Sequence, residues 1–323
     1  MTEPTPSGSR LEYFPISFFA MVMGLSGLTI GWEKAQHVLD WHLGISPWLA
    51  GTTLLVFAVL ALLYGTKVVR HRVAVLAELR HPVKLNFFPA ISISLLLLSI
   101  AFLPLQAELS RGLWLAGTLL HLVLTLYVIN VWMHHEHLKI PHLNPAWFIP
   151  VVGNVLVPVA GTSFGYGDIS WFFFSFGMLF WIVLLAIVFN RILFHDPIDE
   201  RLLPTLFILI APPAVGFIAY SRLVPEIDTF GRMLYFSGLF LTLLLFTQAP
   251  RFLRLKFFLS WWAYSFPLSA ISIASLVMSE RTGTAFYRDL GLGLLVLLTL
   301  IVILLLVKTA MAVKRGAICV PGH

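Results

Sequence analysis

The chain is 323 residues long, 59% hydrophobic and only 11% charged. Soluble domains carry about 25% charged residues, so this composition excludes a water-soluble globular protein and indicates one that lives in lipid. The net charge of +6 would suggest a nucleic-acid partner in a soluble protein; here the positions of the charges explain it without one.

Residues 1–12 read as a short polar tail, its first part, MTEPTPSGSR, too poor in apolar residues to fold. Ten apolar runs follow, each about 20 residues long, as a bilayer crossing demands. The first, 13–34, lacks a small-residue cleavage site and has further runs behind it, so it reads as a retained helix rather than a signal peptide. It carries Pro15, Ser17, Phe18, Gly24, Ser26 and Gly27. The second, 47–70, leads into a charged loop, AELRHPV (77–83), whose Pro82 suits a helix start. The third, 84–105, brings Pro89, Ser92 and Ser94; the fourth, 111–134, holds His121, which reads as a hydrogen-bonded helix-contact residue. The next loop, HHEHLKIPH (134–142), places His134, His135, His137 and His142 beside Glu136. Its spacing matches neither HExxH nor a zinc-type CxxC, so a solvated loop is the default and no metal or cofactor is expected.

The fifth run, 145–164, contains Pro150, Gly153, Asn154, Pro158 and Gly161, while the sixth, 168–194, is almost wholly apolar. The seventh, 202–223, contains Pro204, Pro212, Pro213 and Gly216, and the eighth, 228–249, has no interior proline. The ninth, 257–280, carries Ser265, Phe266, Pro267, Ser269 and Ser272; the tenth, 287–312, is again nearly all aliphatic. Residues 313–323 form a second tail, and its Cys319 is the only cysteine, so no intrachain disulfide can form. Segments 1–12 and 313–323 thus flank one transmembrane domain, 13–312.

Interior proline falls only in the odd-numbered runs, which are also rich in small and polar residues. A backbone group freed by proline needs a partner or a water-filled cavity, because lipid supplies neither. With an inner N-terminus, 15 of the 21 Lys and Arg fall on one side, so the positive-inside rule predicts cytoplasmic termini and parallel odd runs. The pattern predicts an all-α membrane protein: ten transmembrane helices as five parallel helical hairpins around a central pore. The odd runs would be inside and the even runs against lipid. Close packing through small residues is the alternative reading. The candidates for pore lining or kinks are Pro15, Ser17, Phe18, Pro89, Ser92, Gly153, Asn154, Pro158, Pro212, Pro213, Gly216, Pro267, Ser269 and Ser272.

Acidic and basic residues cluster at the ends of the runs, and none lies near the middle of an odd one. A pore of this kind offers weak contacts and hydrophobic constrictions, which favours a channel over a tight-binding pump. Phe266 lies roughly 14 Å into the ninth run, near the midplane and beside the Ser265, Ser269 and Ser272 stripe. Taken alone, a phenylalanine there reads as a packing residue, with a gate the lesser reading. There is no nucleophile elbow, P-loop or dinucleotide loop, so no enzymatic activity is expected.

Six segments together resemble the tellurite-resistance/dicarboxylate transporter family, which includes bacterial TehA and the plant guard-cell slow anion channels. They are YFPISFFAMVMGLSG (13–27), AELRHPVKLNFFPA (77–90), FIPVVGNVLVPVAG (148–161), FGYGDIS (164–170), IAPPAVG (210–216) and WWAYSFPLSA (261–270). The resemblance implies five hairpins with quasi-fivefold symmetry, a homotrimer with one pore per subunit, and a pore blocked by a phenylalanine of the ninth helix. WAYSFP places Phe266 at that position, with Pro267 where bacterial TehA has glycine, as in the plant pattern. The resemblance implies movement of anions, and the absence of a mid-membrane cation, which a dianion site would use, leans the reading toward small monovalent ones such as chloride and nitrate. The alternative is a carrier or exporter for C4-dicarboxylates, sulfite or tellurite. The implied setting is a bacterial inner membrane, with anions and membrane lipid as partners and no nucleic acid.

Overall fold

In the computed structural model, which describes residues 9–134 and 138–320, ten helices are long and apolar enough to cross a membrane. They are Ile16–Leu39, Ile45–Arg70, Lys84–Phe102, Ala107–His134, Pro145–Phe164, Gly167–Phe194, Leu203–Leu223, Thr229–Phe246, Leu259–Thr282 and Ala285–Lys314, numbered here as spans 1 to 10. The described residues contain no strand. Between 67% and 89% of each odd span's most apolar stretch is buried inside the protein, against 22% to 39% for the even spans. Odd spans are therefore the inner layer and even spans the outer one.

Each odd span packs against the even span that follows it, and the odd spans touch one another in the order 1–3–5–7–9 and back to 1. That closed order is consistent with a fivefold repeat of hairpins. Turns at the far end, where the odd spans finish, are short. Three rely on glycine in the left-handed region, where a side chain would be strained: Gly165 (φ 81°) and Gly283 (φ 69°) end their helices, and Gly44 (φ 63°) precedes span 2. The near end, where the odd spans start, holds the longer connections, including a helix at Arg72–Arg80.

The two layers differ in backbone as well as burial. Every even span is one unbroken α-helix. Every odd span contains a tighter 3-10 segment before its final α-helical stretch: Ile16–Phe18, Lys84–Phe87, Gly153–Leu156, Leu203–Ile210 and Leu259–Tyr264. Prolines sit at these junctions, and this corrects the expectation that Pro267 kinks a helix interior. Its α-helix runs Ser265–Thr282 after the 3-10 stretch, so Pro267 is in the first turn. The N–H it lacks belongs to a position with little intrahelical bonding to lose. Pro212 and Pro213 likewise open Ala211–Leu223, and Pro158 opens Val157–Gly161.

Small residues close the ring between spans 1 and 9. A methyl on Gly24 would come within 2.8 Å of Ser265 Cβ, and one on Gly27 within 2.8 Å of Ser269 Cβ. Gly24→Ala and Gly27→Ala are each expected to lower stability by about 1–3 kcal/mol, the usual cost of overpacking. A detergent-solubilised thermal melt measures this, and Gly112→Ala, at a site with nothing within 4 Å, is the control.

Candidate functional site: an axial cavity divided at Phe266

Two small chambers lie on the axis, and all five odd spans contribute to each. The chamber toward the near end, about 60 Å³, is walled by residues including Met23, Ile93, Gly153, Pro212 and Pro267. The chamber toward the far end, about 30 Å³, is walled by residues including Ile30, Leu97, Val159, Ile218 and Ile273. Three residues border both: Phe266, Leu156 and Val215. The Phe266 ring, with Leu156 of span 5 and Val215 of span 7, therefore sits at the boundary between the chambers. Span 9 places it there because the α-helix begins at Ser265, just after the 3-10 stretch. Phe266 is only half-buried, since it faces these voids while its neighbours are packed.

The walls are almost wholly apolar; among the residues lining either chamber only the Ser269 hydroxyl and the Trp262 indole bring a side-chain oxygen or nitrogen, and the indole N–H donates to Thr309 Oγ1 at 3.0 Å. Cavities this small and apolar stay dry, and a bare ion entering a low-dielectric void meets a desolvation cost of many kcal/mol. The division at Phe266 is thus an apolar constriction that an ion would cross only at a large desolvation cost.

Charge appears on both approaches. At the near end a vestibule of about 470 Å³ adjoins the first chamber through Ala20, Phe87 and Ala263. His81, Lys84, Asp199 and Arg201 lie on its wall. Asp199 Oδ1 accepts from the Arg201 N–H at 2.8 Å, and the Arg201 guanidinium lies 5.9 Å from the centre of the Phe258 ring. At the far end, just beyond Ile30, Ile218 and Ile273, Lys34 pairs with Glu280, and Arg281 donates to the carbonyls of Ser221 and Pro225, each at 2.7 Å.

Residues 13–310 match the family described as voltage-dependent anion channel, SLAC1. The chain belongs to the SLAC1 family. It is 29% identical over 306 residues to the S-type anion channel SLAH3 of Arabidopsis thaliana, covering 92% of this chain and 48% of the plant protein. With SLAH2 of the same plant it shares 31% over 286 residues, covering 84% and 54%. The chain thus spans about half the length of these two plant relatives. A tellurite resistance protein TehA homolog of Haemophilus influenzae is 24% identical over 320 residues, covering 93% of this chain and 92% of that one.

Within this SLAC1-family chain, the residues singled out by sequence fall into two groups. Pro15 and Ser17 line the vestibule, Gly153, Pro212, Phe266 and Pro267 the first chamber, and Ser269 the second. The rest are turned into helix contacts. Ser272 donates to the Gly291 carbonyl of span 10 at 2.7 Å. Asn154 Nδ2 donates to Thr125 Oγ1 of span 4 and to the carbonyls of Pro150 and Val151, satisfying acceptors where the helix changes to 3-10. Ser92 donates to the Pro89 carbonyl and lies 2.8 Å from His121 Nδ1, so His121 is the helix-contact residue expected from its position. Phe18 stacks on Phe14 with ring centres 4.6 Å apart. Gly216 packs against Met178 and Leu234, and Pro89, Pro158 and Pro213 are buried among the helices.

Sequence reasoning missed Leu156 and Val215, since a bulky aliphatic residue in a membrane helix carries no mark of facing an axis. It also missed a buried ion pair at the near end. Lys67, 1% exposed, lies 3.0 Å from Glu78 and donates to the Phe14 carbonyl at 2.9 Å, while the Tyr64 hydroxyl donates to Glu78 at 2.8 Å. Of the histidine loop, His135, Glu136 and His137 lie outside the described residues; His142 Nδ1 accepts from the Lys139 N–H at 3.2 Å.

His81 supplies a pH dependence. Burial, then the nearby Lys84 and His142, hold its pKa below the ordinary histidine value. Its Nδ1 accepts from the N–H groups of Val83 and Lys84. The folded state therefore binds fewer protons at this site than the unfolded chain, and stability rises with pH. The loss is expected as pH falls below about 6.5, the unfolded value, and levels off once the folded imidazole also protonates. Melting temperature measured against pH checks this, and His81→Asn should flatten the curve over that window.

Proposed function

We propose that this protein is a passive channel for small monovalent anions, chloride and nitrate among them, that move along the axis of the odd spans. In this reading Phe266 is the plug. The observation that carries it is the position of the Phe266 ring on the boundary of two dry, apolar chambers. With no fixed cation among the chamber residues, selectivity follows how readily an anion sheds water, which disfavours dianions. The charged vestibule would gather anions, since wall charges raise local ion concentration.

The proposed setting is a bacterial inner membrane with both termini cytoplasmic, so that the near end, rich in Lys and Arg, faces inward. A homotrimer with one pore per subunit is the proposed assembly.

The test is a reversal-potential series on Phe266→Ala in planar bilayers with chloride, nitrate and malate. Currents that follow the Nernst potential of chloride or nitrate, with malate nearly impermeant, are expected. Saturable uptake with counterflow and little single-channel current would instead make the protein a carrier for dicarboxylates, sulfite or tellurite.

A further inference from the structure

Away from the axis, a recess of about 1090 Å³ opens at the near end between spans 6 and 8, with the start of span 7 among its walls. Its apolar part is formed by Leu193 and Leu244 together with the buried Leu206 and Leu209. Leu193 is 66% exposed, so this wall continues into the lipid-facing surface. The remaining lining carries both signs of charge: Arg251 and Arg254 just beyond span 8, Asp196 and Glu200 on the connection between spans 6 and 7. Among the described residues, none of these four takes part in an ion pair. The connection is nonetheless fixed, because the buried Arg191 donates to the Ile140 carbonyl at 3.1 Å and to the Asp196 carbonyl.

Opposite charges that share one recess without meeting leave room for a guest bearing both. The apolar wall open to lipid says that the guest comes from the bilayer. We propose that this recess binds a phospholipid with a primary-amine head group, of the phosphatidylethanolamine class. Arg251 and Arg254 take the phosphodiester, for which guanidinium geometry is well suited, and Asp196 and Glu200 take the ammonium. An acyl chain lies along Leu193 and Leu244. A purely anionic lipid would bring its charge up to two uncompensated carboxylates, and a choline head has no N–H to donate to them. Free phosphate would leave the apolar wall uncovered.

The full chain, purified in detergent, is incubated with an equimolar mixture of dioleoyl phosphatidylethanolamine, phosphatidylcholine and phosphatidylglycerol, and retained lipid is read by native mass spectrometry. Phosphatidylethanolamine is expected to be retained severalfold over the other two. Combining Arg251→Ala with Arg254→Ala should lower phospholipid retention by about tenfold, the scale of one lost charge-assisted hydrogen bond. Asp196→Asn with Glu200→Gln, which is nearly isosteric, should keep the lipid phosphate but move the preference to phosphatidylglycerol. Millimolar inorganic phosphate should not displace the lipid. Equal retention of the three lipids would overturn the proposal. So would an unchanged preference in the carboxylate variant, displacement by inorganic phosphate, or a recess filled by a second copy of the chain. If the arginine variant fails to fold, the carboxylate variant decides alone.

Discussion

Phe266→Ala is expected to raise anion conductance at least about tenfold over the parent, equivalent to ~1.4 kcal/mol of barrier. The ring borders both chambers, so truncation joins them and widens the one place where three side chains meet on the axis. Leu156 and Val215 remain and keep part of the hydrophobic barrier, which makes the expected gain partial. The double variant with Val215→Ala should therefore conduct more than either single one. The folding cost should be modest: full removal of a buried phenylalanine costs about 3–5 kcal/mol, but Phe266 is half-buried and already faces voids. Single-channel recording beside a thermal melt separates the two effects. Unchanged conductance in a folded Phe266→Ala protein would sink the plug.

Lys67→Met should destabilise the protein by about 3–5 kcal/mol, the cost of leaving one partner of a buried ion pair uncompensated. Glu78 would keep only the Tyr64 hydroxyl, and the Phe14 carbonyl would lose its donor. Adding Glu78→Gln removes the orphaned charge and should recover most of the loss, because the amide oxygen can still accept from Tyr64. A melt of the single and double variants measures both. Additive losses would show that the pair is not coupled. The pair joins span 2, the Arg72–Arg80 helix and the chain entering span 1, so the single variant is also expected to loosen the vestibule before the transmembrane ring.

The number of spans, their limits to within a few residues and the two layers were legible in the chain. Hydropathy and the confinement of proline to alternate runs are long-range signals that outlast local detail. The role of those prolines was not legible: Pro267 reads as a kink in sequence, and only the 3-10 stretch Leu259–Tyr264 shows it to be in a first helical turn. Periodicity put Ser265, Ser269 and Ser272 on one stripe but could not say what that stripe meets. Ser265 and Ser269 lie against Gly24 and Gly27 of span 1, with Ser269 only edging the second chamber, and Ser272 bonds to span 10. Phe266 stood out only through the family resemblance. Lys67 reads in sequence only as one of the charges at the end of a run and Glu78 as part of the charged loop AELRHPV, since burial of a pair depends on a third segment folding over it.

The close seam between spans 1 and 9 bears on how the axis could open. Gly24 and Gly27 leave no room for a methyl against the helix that carries Phe266, so two of the five staves are locked together on either side of that ring. An iris motion, with the staves leaning apart, would have to break this seam first. A shutter is cheaper: the backbone stays, and the aromatic ring swings about its own side-chain bonds. The space for such a swing is asymmetric, about 60 Å³ on the near side against about 30 Å³ on the far side. The shutter should therefore open toward the vestibule, and whatever fills that wider chamber would jam it.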